Sequence, residues 1–110
     1  MDVLLQVNVS GEGSKGGYGP VDVAREGSRL AGMAGLVVRG VMTMAPFDAD
    51  AATLRRVFAG ARACGAELRA AGHVAATELS MGMSGDYAVA VEEGATLVRL
   101  GTVLFGARSA

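Results

Sequence analysis

The chain has 110 residues, 51% of them apolar, one cysteine and a formal net charge of −1. That is enough for one domain with a modest core, and the apolar share excludes a disordered chain. The near-neutral charge, the dispersed arginines and the absence of Trp argue against nucleic acid or a membrane surface as a partner, and a lone Cys64 excludes an internal disulfide and suits a reducing cytoplasm.

Val3 to Val9 (VLLQVNV) reads as a strand buried on both sides, of the parallel-sheet kind. Met1 is followed by neither a basic n-region nor a cleavage site, so no signal peptide is expected, and no apolar run is long enough to span a membrane. Ser10 to Pro20 holds five glycines and the chain's only lysine, Lys15, and must be a loop. Pro20 supplies a start for a helix over Val21 to Met33. Leu36 to Met44 is the second strand. Asp48 or Asp50 caps a helix over Ala51 to Ala71, where Leu54, Val57, Phe58, Ala61 and Leu68 form an apolar stripe and Arg55, Arg56, Arg62 and Arg69 face water. Gly72 ends that helix, which leaves His73 as a surface residue at a helix end. Thr77 to Met81 is the third strand. Ser84 caps a short helix over Asp86 to Glu93, stopped by Gly94; Thr96 to Leu100 is the fourth strand, and Val103 to Arg108 begins a last helical turn.

This β-α-β-α-β-α-β-(α) order predicts an α/β fold, with four βα units, parallel strands and right-handed crossovers. Units of this length build TIM-type (β/α)8 barrels, but a closed barrel needs about 200 residues or more. Residues 1–110 therefore form one partial barrel domain. Four parallel strands alone leave two open edges and an uncovered face, so the chain is expected to be incomplete or to complete itself with a partner.

The chemistry concentrates in Leu79 to Thr102. Two glycine-containing loops follow the third and fourth strands directly, which puts them on the face where α/β folds bind ligands. Each offers backbone N–H groups and one hydroxyl, Ser84 and Thr102, and together they suit a phosphate. Arg99 stands between them. Plainer roles remain open: Ser84 as an N-cap, Gly101 as a tight turn, and Arg99 stretching to solvent or in a pair with Glu93 or Asp86. Lys15 reads as a solvated side chain, Cys64 as a small packing residue, and Met81 and Met83 as packing groups. No metal-ligand spacing and no Ser/His/Asp arrangement is visible.

Four segments carry a resemblance: LLQVNVSGEGSKGG, VRGVMTMAP, ELSMGMSGD and LVRLGTVLFGAR. Together they resemble the YggS/PROSC family of pyridoxal phosphate homeostasis proteins, whose fold is that of the alanine racemase N-terminal domain. The resemblance implies the C-terminal half of the barrel, strands five to eight, and pyridoxal 5′-phosphate (PLP) as cofactor. It assigns Ser84 and the backbone N–H groups of Gly101 and Thr102 to the cofactor phosphate, and Arg99 to the pyridine nitrogen. Because a guanidinium keeps its proton, the ring would stay a poor electron sink, which suits a non-catalytic carrier with no turnover. The family's Schiff-base lysine ends the first strand, which has no counterpart here, and Lys15 matches a different lysine. Met1 stands where the family's chain is already mid-barrel, so a truncated chain is expected. Half of a PLP-dependent amino-acid racemase and a ligand-free half-barrel that dimerises are the alternatives.

Overall fold

In the computed structural model, residues 1–9, 17–46, 49–83 and 85–99 are described. The apolar run at the start produces β1, Asp2–Gln6, which is buried on one side rather than both, since Leu4 is exposed. Beyond it Val7 bridges to Tyr18, so the predicted strand to Val9 ends early. A 3-10 turn at Pro20–Asp22, with Pro20 in the first turn where its missing N–H costs nothing, leads into α1, Val23–Ala31. Next come β2 (Val37–Met42), α2 (Ala51–Ala70), β3 (Glu78–Met83), α3 (Tyr87–Glu92) and β4 (Leu97–Arg99). The predicted last turn over Val103 to Arg108 lies outside the described residues.

The strands form one sheet in the order β1-β2-β3-β4, every pair parallel. Each of the first three strands is followed by a crossover to its immediate neighbour, as in a partial TIM-type barrel. One face packs on the helices. Leu5, Val38, Val41, Leu79 and Met81 share one buried core with the predicted α2 stripe, in which Phe58 and Leu68 are fully buried. Each of those two side chains contributes about 1.5–3 kcal/mol by leaving water. Asp50, not Asp48, is the α2 cap: its carboxylate accepts the Thr53 N–H at 2.8 Å. The four predicted arginines of α2 are exposed.

The opposite face alternates with the first and keeps Leu4, Val37 and Leu97 exposed at 38–49%. Of the two sheet edges, β1 is partly covered at its C-terminal end. Asn8 N–H donates to the Tyr18 carbonyl at 2.8 Å, and Tyr18 N–H donates to that of Gln6 at 2.9 Å. Gly17, at φ +109°, permits this approach; a Cβ there would lie 2.9 Å from the Gln6 oxygen.

His73 is a correction. It is half-buried rather than on the surface, and its Nε2 lies 2.7 Å from the carbonyl oxygen of Gly27 on α1. Gly27 is buried against Leu68 and Ala71, and this close approach of α1 to α2 brings its carbonyl to the imidazole.

Candidate functional site

The ligand face is defined by where the strands end. β3 and β4 are hydrogen-bonded parallel neighbours, with Ser80 opposite Leu97 and Met83 opposite Arg99. Both strands thus finish level at one sheet edge. The C-terminal ends of these two strands therefore lie side by side, on the side of a parallel α/β sheet where ligands bind.

The β3–α3 turn is tightly determined. β3 runs two residues further than the predicted Thr77 to Met81, because Gly82 continues the strand at φ +102°. A Cβ on Gly82 would lie 2.7 Å from that of Ala90, 3.2 Å from Val98 Cγ1 and 3.4 Å from Tyr87 Cα. Only glycine lets α3 approach the strand ends this closely. Met83 N–H then donates to Asp86 Oδ1 at 2.7 Å, and Asp86 N–H donates to the Met83 carbonyl at 3.1 Å. These two bonds close the chain on either side of Ser84 and Gly85. Gly85 is exposed, with nothing within 4 Å of where a Cβ would stand.

Ion pairs hold α3 against α2. Arg55 contacts Glu92 at 2.9 Å and Glu93 at 3.3 Å, and Arg62 contacts Glu93 at 3.3 Å. The hydrogen bond to Glu92 and that residue's charge, with Glu93 beside it, raise the Arg55 pKa above its ordinary value. Thr96 fixes the start of β4: its hydroxyl accepts the Leu79 N–H at 2.8 Å and donates to Glu78 Oε2 at 2.9 Å.

Of the predicted site residues, Arg99 is described as the last residue of β4, paired with Met83. Ser84, Gly101 and Thr102 lie outside the described residues, as does Lys15. The cap position of α3 belongs to Asp86. The N-cap role of Ser84 is therefore corrected: the helix starts two residues too late for it. The carboxylates offered as plain partners for Arg99 are engaged, Glu93 by two arginines and Asp86 by Met83 N–H. Asp86, read from the sequence as a helix start or an Arg99 partner, instead bonds back to Met83. Its signal was the Ser-Gly-Asp run, in which glycine turns tightly and aspartate bonds nearby backbone.

These features are compatible with a phosphate-bearing ligand: the end of β3 stands opposite Arg99, and beyond it Gly85 is exposed. They offer no described amine for a covalent link. The amino group of Met1 donates to the Gly35 carbonyl at 2.6 Å, at the opposite edge of the sheet. Among the described residues, no group of three or more His, Cys, Asp or Glu could hold a metal, and no helix is long and apolar enough to cross a membrane.

A four-stranded, all-parallel α/β sheet with each described crossover joining neighbouring strands defines the class. Within it, the alanine racemase N-terminal domain family matches residues 1–109, and the chain belongs to that family. It is 43% identical over 107 residues to the pyridoxal phosphate homeostasis protein of Aquifex aeolicus, covering 97% of this chain and 47% of that one. Two solved structures of PipY from Synechococcus elongatus PCC7942 are similar. The form without PLP gives a TM-score of 0.86 at 42% identity, and the form with PLP bound gives 0.80 at 40%; each covers 96% of this chain and 49% of PipY. The chain thus spans about half the length of these relatives.

Proposed function

We propose that residues 1–110 are the phosphate-holding, C-terminal half (strands five to eight) of a PLP-binding homeostasis or carrier protein of the cytoplasm. The observation that supports this reading is the pairing of Met83 with Arg99, which brings the C-terminal ends of β3 and β4 together. Ser84 and the Gly101 and Thr102 amides hold the phosphate. Arg99 faces the pyridine nitrogen, and its permanent charge keeps a proton off that atom. When bound, PLP supplies an electrophilic carbonyl and an electron-withdrawing ring, which this arginine weakens as a sink. The residues therefore bind and orient without turnover. The buried thiol of Cys64 suits a reducing compartment.

The test is titration of the chain with PLP and with inorganic phosphate, read by thermal stability and by the absorbance of the pyridoxal chromophore. Both ligands are expected to raise Tm, and Lys15→Ala is expected to change neither response. No stabilisation at millimolar concentration overturns the reading. Racemisation of alanine in the presence of PLP would replace it with the racemase half.

The exposed Leu4, Val37 and Leu97 face favours a second reading of the whole assembly. Two copies would close an eight-stranded barrel, β4 of each pairing with β1 of the other below the segment that Tyr18 occupies. A strict monomer in sedimentation equilibrium excludes it.

A further inference from the structure

We infer that Asp86 is a positioning residue for the anion-holding turn, through its geometry and against its charge; this rests on the phosphate reading above. A carboxylate beside a phosphate site is electrostatically unfavourable. Nor does the Asp86 side chain cap α3: no backbone N–H of that helix donates to it. Its Oδ1 reaches back to Met83 N–H at 2.7 Å instead, while its own N–H donates to the Met83 carbonyl at 3.1 Å. The reciprocal pair staples the last residue of β3 to the residue before α3. Only Ser84 and Gly85 remain between the pinned ends. Gly82 sets the height of α3 above the strand from below, and Glu93 ties its far end to Arg55 and Arg62. Among the described residues, Asp86 is the side chain that bonds across the turn itself. Without it, Met83 N–H loses its partner and the two-residue tip is free to take other conformations, each of which costs ordering when an anion binds.

Geometry and charge separate cleanly by substitution. Asp86→Asn keeps an oxygen acceptor at the same place and removes the negative charge. Asp86→Ala removes both. If Asp86 positions the turn, Asp86→Ala weakens inorganic phosphate binding by about tenfold, the loss of one charge-assisted hydrogen bond. Asp86→Asn then binds phosphate at least as tightly as the unsubstituted chain, because the acceptor is kept and the repulsion is gone. If Asp86 acts only by repulsion, both variants bind more tightly, which overturns the inference.

The experiment is isothermal titration of inorganic phosphate, and in parallel PLP, into the unsubstituted chain, Asp86→Asn and Asp86→Ala, with ligand-free circular dichroism of each. Binding by the unsubstituted chain with equal or tighter binding by Asp86→Ala overturns the inference and leaves the phosphate reading standing. No binding of either ligand by the unsubstituted chain overturns both. Should Asp86→Ala lose its ligand-free fold, Asp86→Glu decides, since it keeps the charge and displaces the acceptor: a clear loss of affinity supports the positioning role, and affinity equal to that of the unsubstituted chain overturns it.

Discussion

Gly82 and Ala90 approach so closely that a Cβ on the glycine would stand 2.7 Å from the Cβ of the alanine. The contact joins the end of β3 to the middle of α3, and it fixes how far the helix lies from the ligand edge. Gly82→Ala must move one of them, and it also forces an alanine to φ +102°. Overpacking of this kind costs about 1–3 kcal/mol, and the left-handed backbone adds about 1–2 kcal/mol. Urea unfolding is expected to show that loss, together with weaker phosphate binding. Adding Ala90→Gly makes room for the new methyl and restores part of the stability; a double variant no better than Gly82→Ala would show that the contact is not the cause.

Two other glycines separate steric from conformational cost. A Cβ on Gly40, in the middle of β2, would run into the carbonyl group of Glu78 on β3. That group is backbone in the adjacent strand and cannot swing aside. Gly72, at φ +107°, has nothing within 4 Å of its Cβ position. Gly72→Ala is therefore expected to lose only the left-handed penalty, about 1–2 kcal/mol, with the unfolding slope unchanged. Gly40→Ala breaks the β2–β3 ladder, and loss of the cooperative transition is the expected outcome.

The order of elements was legible because each is written in local periodicity. The 3.6-residue stripe of α2 places Leu54, Val57, Phe58, Ala61 and Leu68, and all five are buried. What could not be read depends on residues distant in sequence. β1 stops at Gln6 because Tyr18, beyond the glycine-rich loop, takes up the backbone groups that a longer strand would present. His73 is drawn in by the carbonyl of Gly27, 46 positions away. β3 outlasts its expected end because Gly82 looks like a loop residue, while its real constraint is Ala90 on the next helix. At the ligand edge, the glycines and hydroxyls were conspicuous by type and by position after a strand. Asp86 was not, since reaching back to Met83 and capping forward into α3 look the same in sequence.

Cys64 supplies a pH dependence whose sign follows from burial. The side chain is 2% exposed on α2, and burial, reinforced by the charge of Glu67, pushes its thiol from an ordinary 9.0 to about 11. The folded state thus favours the neutral thiol, while the unfolded state ionises from pH 9.0 upward. The stabilisation is fully present below pH 9.0 and is lost as pH rises through about 11. Cys64→Ala lacks the titration and shares every other ionisable group, so the stability difference between the two chains isolates it. That difference is expected to be flat from pH 7 to pH 9 and to shift in favour of the variant above it, read from urea midpoints. The same burial governs reactivity, since only a thiolate attacks an alkylating agent. Iodoacetamide at pH 8 is expected to label Cys64 at the rate of unfolding and to accelerate with added urea. Rapid labelling of the native chain, or parallel stability curves across the whole pH range, would place the thiol outside the core that β3 and α2 build behind the ligand edge.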